Sequence, residues 1–437
     1  MRCSMLTGSG VLSVLAAACL AVTSKPDPGP ARASLRIVYT IDTGGQISTC
    51  GCSGGQHGGL ARRASLLKAL ALDGVPLVVL DGGSVVTSAS QSPYFAEAYA
   101  AMRYSLVIPS QADVTARDGD GNGLSEALNA LGVAVLARPI ADAADPLPSA
   151  AIDVAQGWRL LALAAPEGAL PLPALAARAR QAVAGVDRAR TAILLATRLE
   201  PGANRLLAQE LGDAVDVIVG DSTSARSRDY RDPIPEGKVV PAISQGKALT
   251  VIDVYVEPDG RKRIAARFEP VSPNLLEDPA VEAIVERYYA EAAPASRPAE
   301  APKDTVDYVM RGWADAETCG TCHPKELEAW KGTAHAKAIA TLAQAGRLVD
   351  ECLACHSEEF RQRKAFDPVR LVPGDGVTCA TCHGDGLIHS MTGRVDYIRR
   401  TMDAQDCMAC HNEERQPAGF DFAASHDKIR HLPAPAE

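Results

Sequence analysis

Four short cysteine and histidine motifs in the last third of the chain are the residues best suited to chemistry. Each has the form C-x-x-C-H, and their members are Cys319, Cys322 and His323; Cys352, Cys355 and His356; Cys379, Cys382 and His383; and Cys407, Cys410 and His411. This spacing is the attachment signature of a c-type haem, in which both thiols form thioethers and the histidine ligates the iron. The motifs therefore predict four c-type haems.

Two other structures also use paired cysteines. C-x-x-C pairs occur in zinc knuckles, and eight cysteines can form four disulfide bonds. Neither structure needs a histidine directly after the second cysteine in all four places. The repeated histidine favours haem over both alternatives.

Four further histidines are candidates for the second axial ligand of each iron: His335, His389, His426 and His431. With them every haem would have two histidine ligands, and Met402 and Met408 are weaker alternatives. The segment has only about 130 residues, too few for a protein core of usual size around four haems. Closely stacked haems are therefore expected to form its core and to pass electrons.

Composition and the N-terminus bound the class of protein. The chain has 437 residues, enough for two or three domains, and a net charge of −9. Nucleic acid is an unsuitable partner, because binding it calls for a basic face. The apolar run over residues 11–22 is too short for a spanning helix and predicts a signal peptide over residues 1–22, followed by a linker over 23–34.

Cys19 follows a sequence close to a bacterial lipobox that begins at Leu15. It is therefore either the lipidated first residue of the mature protein or a residue lost with the signal peptide. Both alternatives place the protein outside the cytoplasm, in the periplasm or on the outer surface, with or without a lipid anchor. This agrees with the haem motifs, because bacteria attach c-type haem on that side of the membrane.

Short apolar strands alternate with alanine-rich helices between residues 35 and 292, starting with a buried strand at residues 35–41. Such alternation predicts an α/β core with helices on both faces. Residues 293–304 are rich in proline and alanine and predict a linker. Residues 305–437 are then expected to form a mainly α-helical multihaem cytochrome c domain.

Cys50 and Cys52 lie in a glycine-rich loop after the first predicted strand, near His57. The carboxyl end of such a strand is where α/β folds place active sites. The two thiols are candidates for a redox-active pair or for ligands of a soft metal ion. A structural role is the alternative.

The predicted α/β region resembles the periplasmic 5′-nucleotidase-type, calcineurin-like metallophosphatases over residues 35–270. The resemblance is carried by Thr40-Ile-Asp42-Thr-Gly-Gly, by Leu80-Asp81-Gly-Gly-Ser84 and by residues 58–67, Gly-Gly-Leu-Ala-Arg-Arg-Ala-Ser-Leu-Leu. It implies a four-layer αββα sandwich. That family polarises a phosphate with two adjacent metal ions, which Asp, His and Asn residues hold.

Most of those metal ligands are replaced in this chain. Asp42 remains, whereas the residues standing at the other ligand positions are Gly44, Ser84, Ser110, Gln111, Arg198, Ser222 and Ser224. The region contains a single histidine, His57. The resemblance therefore implies a metallophosphatase fold without its dinuclear metal site.

The haem segment resembles the cytochrome c-554 family of tetrahaem cytochromes. The matching stretches are residues 330–338, Trp-Lys-Gly-Thr-Ala-His-Ala-Lys-Ala, residues 376–389 and Lys428-Ile-Arg-His431. The resemblance implies that His335, His389 and His431 are distal ligands. His426 falls at a position that the family does not reserve for histidine, so it is either a ligand or a solvated surface residue. One haem of that family lacks a protein sixth ligand, so an open iron is a further alternative.

These patterns predict an extracytoplasmic multihaem cytochrome that transfers electrons. Its expected partner is a redox protein or a quinone-linked electron donor. One alternative is a haem enzyme that acts on a small nitrogen or sulfur species at an open haem. A metallophosphoesterase fused to a cytochrome is the other, and the missing metal ligands argue against it.

Overall fold

The structure is a computed structural model, and it describes residues 32–49, 56–138, 146–168, 170–220, 234, 237–295, 312–364, 366, 375–412 and 419–431. The predicted signal peptide with Cys19, the thiols of Cys50 and Cys52, and the pair Ser222 and Ser224 lie outside these residues. Residues 33–437 belong to one structural unit. Within the described part of the chain, no helix has the length and apolar character needed to cross a membrane.

Two mixed sheets form the centre of the front part of the chain. The first contains β1 (Leu35–Thr40), β2 (Leu77–Asp81), β3 (Leu106–Val107), β4 (Ala134–Val135), β10 (Ala248–Val256) and β11 (Lys262–Pro270), in the order β11-β10-β1-β2-β3-β4. The second contains β5 (Ser149–Val154), β6 (Trp158–Ala164), β7 (Thr191–Ala196), β8 (Val217–Gly220) and β9 (Val239–Pro241), in that order. β1 to β4 pair in parallel, as do β6 to β9.

Side chains along each strand point alternately to the two faces of its sheet, and the inner faces of the two sheets pack against each other. Ile37 and Tyr39 of β1 pack with Leu160 of β6 between the two sheets, whereas Val38 faces the other side. The helices of the described residues in this part of the chain are α1 (Leu60–Leu70), α2 (Ser92–Ala101), α3 (Gln111–Thr115), α4 (Leu124–Ala130), α5 (Leu172–Ala182), α6 (Pro201–Leu211) and α7 (Pro279–Ala295). α1, α2, α4 and α7 pack on the first sheet, and α5 and α6 on the second. The predicted four-layer αββα sandwich is confirmed.

The last part of the chain is built from short helices, as the sequence predicts. They are α8 (Ala316–Gly320), α9 (Pro324–Lys331), α10 (Ala338–Gln344), α11 (Asp350–His356), α12 (Glu358–Arg363), α13 (Cys379–His383), α14 (Leu387–Thr392), α15 (Ala404–Met408) and α16 (Phe422–Ile429). Aspartates cap several of them; Asp315 accepts a hydrogen bond from the Thr318 amide at 2.8 Å, for example. Helices this short are unstable alone in water, so contacts with the rest of the protein must hold them.

One hydrophobic cluster joins the sandwich to the haem segment. Tyr288 and Tyr289 of α7 belong to the same cluster of buried side chains as Cys352 and Leu353 of α11 and Phe360 of α12. α7 also continues to Ala295, into the stretch that the sequence predicts as a linker. The second haem motif is therefore packed against the sandwich rather than separated from it.

A buried charge pair ties β1 to β10, which gives a test of what stabilises the sandwich. Arg36 Nε donates to Asp253 Oδ1 at 2.7 Å, and both side chains are almost fully buried. Arg267 also pairs with Asp253, at 2.6 Å, so removing Arg36 leaves that carboxylate partly compensated and removes the charge-assisted hydrogen bonds of Arg36, which costs about 2–3 kcal/mol. We expect Arg36→Met to lower the free energy of unfolding by about that amount in urea.

Arg159→Met is the matched control, because Arg159 pairs with Asp153 at 2.9 Å on the exposed surface. Exposed pairs contribute about 0.5 kcal/mol. Equal losses in the two variants would show that the buried pair does not stabilise the sandwich.

Candidate functional site

Helical turns position the three chemical groups of each motif. α11 and α13 each contain a complete motif, and in the first motif the His323 amide donates to the Cys319 carbonyl at 3.0 Å, as an α-helical turn requires. The same bond joins His411 to Cys407 at 2.9 Å. Residues at i, i+3 and i+4 lie on one face of a helix. Both thiols and the imidazole of each motif therefore point to the same side.

Three of the motif histidines face a second histidine from elsewhere in the segment. The ring centres are 6.1 Å apart for His323 and His389, 6.1 Å for His335 and His411, and 6.3 Å for His383 and His431. The structure thus brings together the three distal candidates that the sequence singled out and assigns each to a particular motif. The pairing itself was not predictable from the sequence.

The separation of these rings matches what an iron between them requires. A metal–nitrogen bond is about 2 Å long on each side, and a ring nitrogen lies roughly 1 Å from its ring centre, so the centres should be about 6 Å apart. The three observed separations agree with this value. The residues present therefore fit three c-type haems with two histidine ligands each.

Hydrogen bonds to backbone carbonyls fix the orientation of several rings. The Nδ1 atoms of His356, His383 and His389 lie 3.1, 2.6 and 3.0 Å from the carbonyl oxygens of Ala338, Arg399 and Arg394. A carbonyl only accepts, so each Nδ1 donates, and Nε2 is left with the lone pair that a metal needs.

The environment also keeps ligand histidines neutral. Burial lowers the pKa of His335, His411 and His431, and neighbouring imidazoles lower it further. A neutral imidazole is the form that binds a metal.

The four motifs are neighbours in the order first, third, fourth and second. The first motif adjoins the third, because Cys379 packs against the cluster of Ala316, Leu327 and Trp330 that flanks the first motif. Burial raises the pKa of the Cys382 thiol in the third motif, and the nearby Cys407 thiol of the fourth motif raises it further. His356 of the second motif lies close enough to His335 and His411 to lower the pKa of both. The second motif is thus at one end of a continuous series.

The second motif differs from the others in two respects. Among the eight motif cysteines, all of which are described, Cys352 alone is buried. His356 contacts the Ala338 carbonyl, and the two imidazoles near it, those of His335 and His411, pair with each other instead. His426 instead stacks on Phe422, with ring centres 5.2 Å apart, and Met408 is exposed at the end of α15.

A second cluster of charged residues lies where parallel strands of the sandwich end. Arg198, just after β7, donates from Nη2 to Asp42 Oδ1 at 2.5 Å and to Ser84 Oγ at 2.9 Å. Arg138 follows β4 and places its Nε 3.4 Å from Glu167 Oε1. A guanidinium group thus holds Asp42, the one retained ligand of the metallophosphatase pattern.

The other polar residues near this cluster are used within the fold. Asp81 accepts hydrogen bonds from Thr40 at 2.6 Å and from the Gly83 amide at 2.8 Å, and burial raises its pKa to about 6. Ser110 caps α3 by accepting from the Asp113 amide. Gly44 offers no side chain. Within the described residues, which do not include Ser222 and Ser224, no group of three or more His, Cys, Asp or Glu side chains could hold a metal ion.

Sequence reasoning found Arg198 through the family pattern but missed Arg138 and Glu167. Each follows a predicted apolar strand by two or three residues, and a charged residue at that place is the signal that would have found them.

The contribution of Arg198 to the stability of the sandwich can be measured directly. Arg198→Met removes two hydrogen bonds, one of them to a carboxylate, and is expected to cost about 1.5–3 kcal/mol of unfolding free energy in urea.

Arg198→Lys is the matched variant, because it keeps the charge and should lose less unfolding free energy.

Mn²⁺ should leave the melting temperature of the wild-type protein unchanged, since a metal that binds the native state raises the melting temperature. A clear rise with Mn²⁺ would show that the strand ends still bind metal.

Known proteins resemble the two parts of the chain separately. The family model described as cytochrome c554 and c-prime matches residues 318–384. Cytochrome c-554 from Nitrosomonas europaea is 28% identical over 137 residues, a match that covers 23% of this chain and 57% of that protein. The chain thus spans little more than half the length of this relative.

Solved structures resemble the sandwich in fold. The 5′-nucleotidase precursor from Thermus thermophilus has a TM-score of 0.46 and 20% identity, with 58% of each chain covered. The sulfate thiohydrolase SoxB from the same organism has a TM-score of 0.47 and 15% identity, with 68% of this chain and 69% of that chain covered. The last part of the chain thus resembles the cytochrome c554 and c-prime family, and the α/β sandwich in front of it resembles the 5′-nucleotidase and SoxB structures in fold.

Proposed function

We propose that the protein is an extracytoplasmic electron-transfer protein that binds four c-type haems in residues 305–437. The observation that supports it most is the set of three imidazole pairs whose ring centres lie 6.1, 6.1 and 6.3 Å apart. When bound, c-type haem supplies an iron that gains and loses one electron. The chain supplies the thiols and the axial ligands, and it sets the distances between the haems.

Each residue of the site has a definite role in this proposal. The eight motif cysteines anchor the haems, and His323, His356, His383 and His411 are the proximal ligands. His389, His431 and His335 are the distal ligands of the first, third and fourth haems. The adjacency of the motifs would give electrons a continuous route from the first haem to the second.

The proposed setting follows from the N-terminal sequence. A signal peptide over residues 1–22 would export the chain, and lipid on Cys19 would hold it at a membrane. The sandwich of residues 35–292 would precede the haem domain. Electrons would be exchanged with a redox protein or a quinone-linked donor.

A second candidate function is redox catalysis on a small nitrogen or sulfur species at the second haem. The observation that favours it is that the imidazoles near His356, those of His335 and His411, pair with each other instead, while His426 stacks on Phe422. An iron with one protein ligand keeps a position to which a substrate can bind. Phosphoester hydrolysis has no such support, because Arg198 holds Asp42.

Metal analysis and EPR of the purified protein test the proposal. We expect four irons per chain, with signals from three low-spin haems and one high-spin haem, because three irons would have two histidine ligands and one would not. Four low-spin signals would leave electron transfer as the function and remove the catalytic candidate. Fewer than four irons would contradict the haem count.

The pairing of histidines can be tested one haem at a time. His389→Ala should turn the first haem from low-spin to high-spin, because His323 then ligates it alone, and added imidazole should restore the low-spin spectrum. His426→Ala is the matched control and should leave the spectrum unchanged. A change of spin state in His426→Ala, or none in His389→Ala, would contradict the proposed ligands.

A further inference from the structure

The contact between the sandwich and the haem segment is concentrated on the second haem motif. Cys352 and Leu353 of α11 are buried in the same cluster as Tyr288 and Tyr289 of α7. The other motif cysteines are half-buried or exposed. Among the described motif cysteines, the one in this cluster belongs to the second motif, so the sandwich would supply part of the wall of the second haem.

Arg347 is the first of two charged residues in this contact. Its Nη1 donates to the Thr49 carbonyl oxygen of the sandwich at 2.9 Å. Its guanidinium carbon lies 4.7 Å from the centre of the Tyr289 ring, and the Tyr289 hydroxyl lies within electrostatic range of both Arg347 and Cys352. The sandwich thus fixes a positive charge beside the second motif.

Glu351 is the second, and it directly precedes Cys352. The Tyr288 hydroxyl contacts both of its carboxylate oxygens, at 2.9 and 3.1 Å. Tyr288 is almost fully buried and is held in turn by an edge-on contact with Tyr94, with ring centres 5.2 Å apart. The sandwich therefore fixes a negative charge on the same motif.

We propose that the sandwich is the part of the protein that sets the reduction potential of the second haem, by holding Arg347 and Glu351 beside it. Both are positioning residues that act through their charge. The inference rests on the proposed binding of a haem to Cys352, Cys355 and His356. It gives the sandwich a role in electron transfer without metal chemistry of its own.

The sign of each effect follows from electrostatics. A ferric haem carries one more positive charge than a ferrous haem, so a nearby cation disfavours the ferric state and raises the potential, and a nearby anion lowers it. Arg347→Met should therefore lower the potential of the second haem. Glu351→Gln should raise it, and the new amide oxygen can still accept the Tyr288 hydrogen bond.

The test is a redox titration of the full-length holoprotein followed by absorption and EPR. The component that belongs to the second haem is identified with His356→Met, since replacing an axial histidine by methionine raises the potential of that haem. We expect the two charge variants to shift this component in opposite directions and to leave the other three in place.

Two matched controls separate charge near the motif from charge elsewhere. Arg263→Met removes a guanidinium that lies 4.2 Å from the centre of the Tyr255 ring, on β11. Glu257→Gln alters an exposed carboxylate that pairs with Arg263 at 3.0 Å, away from α7 and the haem segment. Neither should move any of the four potentials.

The outcomes are distinguishable. Opposite shifts confined to the second haem support the inference. Four haems with no shift, or with equal shifts of all four potentials, overturn it and leave the proposed function intact. Loss of haem from the wild-type count contradicts the proposed function itself. Glu351→Gln keeps the inference testable where Arg347→Met loosens the contact between the sandwich and α11.

Discussion

Two imidazole rings that face each other with about 6 Å between their centres impose the strongest constraint on the last third of the molecule. Each of the three pairs joins positions far apart in the sequence, such as His323 and His389. The helices between them are too short to be stable alone. If these pairs hold iron as proposed, the path of the chain in this region is set by where each iron is bound, and the helices serve mainly to orient the ligand side chains.

The sandwich gathers polar and charged side chains where its parallel strands end. The strands bring Asp42, Ser84 and Arg198 to one edge, and Asp42 and Ser84 have left-handed backbone conformations, with φ of 49° and 55°. Such conformations cost roughly 1–2 kcal/mol each for residues other than glycine. A guanidinium supplies the positive charge at this edge. The sandwich contacts the second motif through α7, whose Tyr288 and Tyr289 pack in one cluster with Cys352 and Leu353.

The alternation of apolar strands and helices predicted an α/β core and the C-x-x-C-H spacing predicted haem attachment, because both are local signals, whereas the four-layer sandwich was implied by the family resemblance. It also indicated His335, His389 and His431 as ligands through resemblance. It could not assign each of them to a motif, since that depends on how the helices pack. For the same reason the contacts of Arg347 with Thr49 and of Tyr288 with Glu351 had no signature: each joins residues that only the tertiary fold brings together.

The burial of Cys352 also bears on how the protein matures. A thioether forms only when the thiol can reach a haem vinyl group, and the Cys352 residue is 8% exposed once α11 packs against α7. Under the proposed haem binding, the second haem would be attached before these helices meet, whereas Cys322 remains exposed in the folded chain. Haem attachment at Cys352 and packing of α11 against the sandwich would then be competing steps of maturation.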